Sequence, residues 1–551
     1  MKRLSKRLSI SRILSATTAA AAVALCAQPA TAQERGSVQG VIYDAYGQPL
    51  AGAFVKLKND ERRLTFMVVS REQGRFEVKD LPPGQYRVQG VAGTNQSDWF
   101  TKVHVTAGGS AKVGFALTHH RGAMLPPAWP QRIPQAQATA VALELPDGDG
   151  KALVQEKCTS CHDLRRTVVK RSNRDHWAHT VARMRTRMSV ASIPDLSEQE
   201  TTKIVDYLVS HYNEVQPYDP NSRLPTALQT GKAVAYRAVT YDLVNTHAEP
   251  HDVAADPKGN AWVSERAGKL GRFNPNTLEF AEFDTPPGPA AKDRQSLGNP
   301  QIDSKGILWV ADGPNNRWLS YDTANGKFLA FAWTGRKGAA GGNSMALHPD
   351  GTVWATGAGK EARQLFPEAV QFKFYEAPAA KTHRNPGAYG IAVAGDGTVW
   401  FAEDEADQMA RVDPKTGKVD EFKIPYNEGH AYPRRMNSDA NGDLWVALWK
   451  AGKLMKVDYK TNAMSIFSPP TPNGGSYSVV VDKKSNYIWV SQHQVDMIAR
   501  FDPKTNEWIE FALPEAESDP RRIDIDPTNP NRIFFSGNIP GRVGFIEVLP
   551  Q

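Results

Sequence analysis

The sequence predicts a multidomain, mainly β protein: a β-sandwich, then a small all-α domain, then a seven-bladed β-propeller. Three observations carry that expectation. Tryptophans at 262, 309, 354, 400, 445 and 489 recur at intervals of 47, 45, 46, 45 and 44 residues, with Phe534-Phe535 where a seventh should fall, and such a period marks repeated four-strand units. Short β runs broken by Gly and Pro turns fill the chain from about Gly36 to His119. Between these blocks lies Cys158-Thr159-Ser160-Cys161-His162, with helical patterning on either side. At 551 residues the chain exceeds one ordinary core, so length alone suggests about three domains.

Residues 1–32 come first. Lys2, Arg3, Lys6, Arg7 and Arg12 precede an apolar stretch from Ile13 to Cys26 and a small-residue site, Ala30-Thr31-Ala32, which together read as a cleaved export signal. The apolar run is too short to span a bilayer comfortably, and Leu25 before Cys26 is too large for a lipoprotein cleavage site. Cleavage after Ala32 takes five basic residues from 66, leaving 61 Lys plus Arg against 59 Asp plus Glu, a net charge of about +2. That balance gives no hint of nucleic-acid or membrane binding. Cys26 leaves too, so no cysteine beyond Cys158 and Cys161 remains for a disulfide.

In residues 36–119, Ser37 to Asp44 reads as a strand, Gly47 to Ala53 as a turn, and further strands follow at Phe54 to Leu57, Gly74 to Val78 and Leu81 to Val88. This order resembles the carboxypeptidase regulatory-like family, a small transthyretin-like β-sandwich. No cluster of nucleophile, base or metal ligands stands out, so the expected role is that of a spacer or docking module. Residues 120–146, rich in Pro and Ala, read as a linker.

Residues 147–213 are the expected all-α domain. Two thiols three positions apart, followed at once by an imidazole, allow both sulfurs to add across haem vinyl groups while His162 ligates the iron. A zinc site needs four ligands and no second cysteine pair exists. A redox dithiol belongs at a strand-to-helix junction, and here both flanks are helical. Covalent haem c held by Cys158, Cys161 and His162 is therefore expected. A short helix opening at Asp149-Gly150-Lys151 runs into the cysteine pair, a second runs from about Asp175 to Met188, and Ser197 with Glu200 forms a capping box ahead of Ile204, Val205, Tyr207 and Leu208. Terminal helices clasping one haem resemble a class I cytochrome c domain. Trp177, Val181, Met184 and Met188 share one helix face, so spacing leaves both Met184 and Met188 open as the sixth iron ligand. Likeness to small cytochromes that carry a Trp-Ala-His-Thr-Val-Ala-Arg-Met kind of segment favours Met184, with His176 and His179 as alternates. In bacteria c-type haem is attached outside the cytoplasm, so motif and signal agree on a periplasmic location.

Residues 229–551 are the expected propeller. Each unit has a strand, an Asp-x-x-Gly-like turn and the Trp strand, as in Asp256 to Trp262 and Asp396 to Trp400. Tyr236 to Val244 precedes the first unit like an orphan outer strand and the last unit lacks one, so the N-terminal segment should complete the final blade. The units resemble those of the virginiamycin B lyase (streptogramin lyase) family. That resemblance implies a metal, usually Mg²⁺, and a histidine that together open a lactone by elimination. Glu249-Pro250-His251 and Glu265 repeat the family's spacing, which implies Glu249 and Glu265 as metal ligands and His251 as base. Strand alternation puts Glu249 and His251 on one side, and the turn at Asp256 to Gly259 returns Glu265 to the same rim. The pattern departs at Asp519-Pro520-Arg521, where the family has a histidine after the proline. A permanent cation there opposes metal binding and proton abstraction.

Other innermost strands begin at Asn343, Tyr389, Arg434 and Arg521, and the second strands end at Asp312, Glu403 and Gln492. With Arg435 and Arg522 these describe a polar channel mouth suited to an anionic or oxygen-rich small molecule. Three functions fit. One is an exported c-type cytochrome whose propeller binds, and in one version oxidises, a small molecule and passes electrons to a soluble cytochrome or respiratory partner. The others are a metal-dependent carbon–oxygen lyase and a non-catalytic binding scaffold. A complete haem motif beside an incomplete lyase set favours the first, because elimination leaves a redox cofactor idle.

Overall fold

The computed structural model describes residues 34–121, 145–158, 173–190, 195–213, 221, 223–245, 248–288, 296–332, 342–357, 359–382, 386–516, 518–537 and 541–550. The expected signal, most of the linker, Cys161 and His162 lie outside these residues, as do the side chains of His176, His179 and Met188. The described chain is mainly β.

Nine strands form the N-terminal sandwich: β1(Gly36–Tyr43), β2(Phe54–Asn59), β3(Leu64–Val69), β4(Arg75–Leu81), β5(Gly84–Ala92), β6(Asn95–Gln96), β7(Phe100–Val105), β8(Ser110–Ala116) and β9(His119–His120). One sheet runs β4-β1-β8 and the other contains β3-β2-β5, with β7 on the far side of β5. Val38, Ile42, Val55, Leu57, Val88 and Phe115 fill the space between them. Alternation of apolar and polar residues along β4 and β8 leaves one face of that sheet exposed.

The second sheet does not end at β3. Strand β10(Tyr236–Asp242) pairs antiparallel with β3, Val239 facing Phe66, and on its other edge with the strand Arg542–Val548, Val239 facing Phe545. Sandwich and ring thus share one continuous sheet. The Thr65 hydroxyl donates to Glu515 at 3.0 Å, and Arg237 bridges Asp80 at 2.8 Å and Glu547 at 2.7 Å. Both would-be edges of β10 are paired, which removes the usual aggregation hazard of a closing strand.

Six four-stranded sheets follow in chain order, and a seventh is completed by β10. We number these blades 1–7. Their innermost strands are Pro250–Ala255, Leu297–Ile302, Met345–Leu347, Ala388–Val393, Pro433–Ser438, Ser476–Asp482 and Pro520–Ile525. Each touches the next, and the last touches the first, so the ring is closed. Trp262, Trp354, Trp400, Trp445 and Trp489 are fully buried, which explains the sequence period. In four blades the turn before the Trp strand is tied to it. Asp256 accepts from the Lys258 and Asn260 amides at 2.9 Å and from the Trp262 indole at 2.9 Å, and Asp439 accepts from the Trp445 indole at 3.1 Å. Thr352 and Thr398 do the same for Trp354 and Trp400, at 3.0 and 3.1 Å.

Three helices, α1(Lys151–Cys158), α2(Arg174–Val190) and α3(Glu198–His211), pack Val154, Trp177, Val181, Ile204, Tyr207 and Leu208 into one core. The capping box is present: the Ser197 hydroxyl accepts from the Glu200 amide at 3.2 Å, and Glu200 accepts from the Ser197 amide at 2.8 Å. Close approach of α1 to α3 depends on Gly150, where a Cβ would lie 2.8 Å from the Lys203 carbonyl oxygen and 2.9 Å from Tyr207 Cβ. No described helix is long and apolar enough to cross a membrane.

Candidate functional site at the mouth of the ring

In five blades the residue before the innermost strand has positive φ: Glu249 (46°), Gly387 (85°), Tyr432 (54°), Gly475 (69°) and Asp519 (47°). The strand then opens with a register shift, between Pro250 and Asp252, Ala388 and Ile391, Pro433 and Met436, Ser476 and Ser478, and Pro520 and Arg522. Such bulges re-aim side chains. Here they present His251, Tyr389, Arg434, Tyr477 and Arg521, each one residue into its strand, to a common space.

These five residues meet. Arg521 Nη1 lies 3.5 Å from His251 Nε2, and its guanidinium sits 5.7 Å from the Tyr477 ring centre. The Tyr389 and Tyr477 hydroxyls share a short hydrogen bond. Arg434 lies over Tyr389 at 4.0 Å, Tyr432 at 4.6 Å, Trp449 at 4.7 Å and Tyr477 at 5.5 Å, while its charge is met by Asp404 at 2.7 Å. His493 accepts from the Trp449 indole and bonds Asp519 through Nδ1 at 2.6 Å, and Asp519 also accepts from Arg521 Nε at 2.8 Å. One position deeper, Arg435 crosses the channel to Asp252 and to the Ser344 hydroxyl at 3.1 Å.

Charge follows this geometry. Burial pushes His251 down to about 3, against the pull of Asp252, so the ring is neutral at physiological pH. Arg521 donates towards Nε2, which leaves Nδ1 to carry the proton facing Asp252 at 3.2 Å. Burial raises a phenol, but Arg434 and Arg521 outweigh it and bring Tyr477 below its ordinary value, while burial and its partner raise Tyr389. Burial lifts Asp404 to about 7 even beside Arg434.

The lyase-type residues stand together at one end of the first two strands of blade 1. Glu265 pairs in register with Pro250, beside Glu249, but its fully buried carboxyl is pushed up to about 8 by burial and then by Glu282 of its own blade. The Glu249 carboxylate is buried 3.8 Å from Arg266 Nε. Among the described residues no group of three or more His, Cys, Asp or Glu side chains is placed to share a metal ion. Two guanidiniums stand among the residues that the family resemblance assigns to Mg²⁺, Arg266 beside Glu249 and Arg521 beside His251 Nε2, while both carboxyl oxygens of Glu265 are buried without a hydrogen bond.

In the helical domain, Cys158 ends α1 half-buried against the core. Met184 is half-buried on α2, two turns beyond the fully buried Trp177.

Residues 301–549 match the model of the virginiamycin B lyase family. The ring is a virginiamycin B lyase-like propeller. Residues 37–118 match the carboxypeptidase regulatory-like domain. An inactive variant of the Staphylococcus aureus virginiamycin B lyase, crystallised with quinupristin, is 19% identical with a TM-score of 0.50, over 57% of this chain and 100% of that one. A streptogramin B lyase structure gives 19% identity and a TM-score of 0.50 over 58% of this chain and 100% of that one. At that identity the likeness is one of fold. No curated protein matches the chain. The lyase-family match begins inside blade 2, so Glu249, His251 and Glu265 of blade 1 precede it.

Sequence reasoning named Tyr389, Arg434, Arg435, Arg521 and Arg522 at the mouth but missed Tyr477, Trp449, His493 and Asp404. The last three share one signal: each directly follows the second strand of its blade, after Leu448, Gln492 and Glu403.

Proposed function

We propose that this chain is an exported redox protein, in which the helical domain carries haem c and the lyase-like propeller binds a small anionic or oxygen-rich molecule at its mouth. The supporting observation is the convergence of His251, Tyr389, Arg434, Tyr477 and Arg521 on one space, with Arg521 3.5 Å from the imidazole nitrogen that an elimination would need as base. Guanidiniums and phenols hold and orient an oxyanion, and the buried rings of Tyr389, Tyr432, Trp449 and Tyr477 keep water from those contacts. Cys158 and Cys161 would hold the haem through thioethers, and His162 with Met184 or Met188 would ligate its iron. When bound, the group supplies one-electron transfer to a soluble or respiratory partner. A metal-dependent carbon–oxygen lyase, with Glu249 and Glu265 on Mg²⁺ and His251 as base, is the reading that fold likeness alone suggests, and the guanidiniums of Arg266 and Arg521 beside Glu249 and His251 count against it.

The test uses protein matured in a host that attaches c-type haem. Iron–porphyrin absorbance should survive denaturation, disappear in the Cys158→Ser, Cys161→Ser double variant, and change on anaerobic addition of a substrate. A mature chain without covalently retained absorbance sinks the redox reading. Mass spectrometry showing ring opening of a streptogramin B, with no haem change, establishes the lyase instead.

A further inference from the structure

Two tiers of arginine enter the channel, and they are not equally provided for. In the outer tier Arg434 has Asp404 at 2.7 Å and Arg521 has Asp519 at 2.8 Å. In the inner tier Arg435 takes Asp252. The other oxygen of Asp252 accepts the Asn299 amide at 3.0 Å, so that carboxylate is fully committed. Arg522 has nothing comparable. It is only 7% exposed, forms no ion pair within 4.0 Å with a described residue, and its Nη1 is buried without a hydrogen bond. Asp524, two residues on, is engaged by the Ala255 amide at 2.8 Å and by its neighbour Ile525 at 2.9 Å.

Asp252 and Asp524 act on this guanidinium without forming an ion pair within 4.0 Å, and a buried guanidinium with an unfilled donor is costly. Burial, reinforced by Arg435 and opposed by Asp252 and Asp524, lowers Arg522 to about 10, which still leaves it charged at neutral pH. The fork geometry of guanidinium matches a two-oxygen anion better than a spherical one.

We propose that Arg522, beside Arg435 in the inner tier of the channel, is the seat of a carboxylate group on the small molecule bound at the propeller mouth. This rests on the ligand-binding reading above and names its chemical class.

The experiment measures the melting temperature of the full chain in anion-poor buffer, then with potassium acetate or benzoate, with the uncharged acetamide and benzamide, and with potassium chloride and phosphate. Carboxylates should raise it and the amides should not. Arg522→Met should melt no lower than wild type in anion-poor buffer, because it removes a buried charge that has no ion pair within 4.0 Å and an unfilled donor, and should weaken the carboxylate response at least tenfold. Arg522→Lys, which keeps charge without the fork, should retain a weak response. Equal protection by chloride or by phosphate overturns the carboxylate assignment. A large loss of stability in Arg522→Met without anion, together with no response in wild type, shows that Arg522 is a structural residue and overturns the site. Covalent haem absorbance, read on the same samples, distinguishes failure of this inference from failure of the redox reading.

Discussion

Arg521 and His251 face each other across 3.5 Å through the imidazole nitrogen that a base would use. Exchanging that cation for an imidazole should restore a donor where the lyase pattern has one. We therefore expect Arg521→His to gain a Mg²⁺-dependent rise in melting temperature of roughly 2 °C or more, where wild type shows none, measured by calorimetry with and without the ion. An unchanged response would mean that Glu249 and Glu265, not Arg521, keep the metal out. The departure at 521 was visible in the sequence because Asp519-Pro520-Arg521 aligns with Glu249-Pro250-His251. Tyr477 was not. In blades 1, 3, 4 and 5 the channel residue stands eleven positions before the Trp, but in blade 6 it stands twelve before Trp489. The turn after Asp482 is one residue longer there, so a fixed count lands on the wrong residue.

At the ends of the second strands, one position recurs with different chemistry. Gln492 donates to Glu510 at 2.8 Å, and Glu403 and Glu265 stand in the same place opposite Glu421 and Glu282. Glu510, Glu421 and Glu282 are themselves equivalent, facing Ala499, Ala410 and Gly271. A protonated carboxyl can do what the Gln492 amide does, which is the physical sense of Glu265 and Glu403 being pushed up to about 8 by burial. Each ionises near 4.5 when unfolded, so the folded protein holds an extra proton between about pH 4.5 and 8 and loses stability as pH rises through that window. Glu403→Gln should match wild type below that window and exceed it above by on the order of 3 kcal/mol, as read from denaturant unfolding at several pH values. A constant difference at all pH values would refute a protonated carboxyl. The Trp period and Asp turns announced these blades in the sequence. The bulges did not announce themselves, because the proline at three strand starts is absent from Ala388 and Ser476, where a positive-φ glycine performs the same turn.

Across the whole molecule, the joint between sandwich and ring is held by backbone pairing, by the Arg237 bridge and by one buried carboxylate. Burial works against the charge of Glu515, yet Lys56, Arg542 and Lys58 hold it ionised down to about 2, and Thr65 donates to it across the joint. A depressed carboxylate stabilises the fold fully above its unfolded value of 4.5 and ceases to do so as pH falls through about 2. Glu515→Gln should therefore cost on the order of 2–3 kcal/mol near neutrality, and wild type should approach the variant as acid is added, tracked by melting temperature. A deficit that persists to pH 2 would mean that packing, not charge, is lost. The sequence foretold that the N-terminal strand completes the last blade, since an orphan strand at one end matched a missing one at the other. It held no sign that the same strand would extend the sandwich, because both edges of a strand look alike in composition. This shared strand sets a timetable. β3 and β10 leave the ribosome before any blade, whereas the strand facing β10 from the other side emerges about 300 residues later, a long interval for an unpaired edge. Because β3 offers β10 a partner close by in sequence, β10 need not stand as a loose end until that strand arrives, so the domain that looks like an appendage supplies a mould for the final seam.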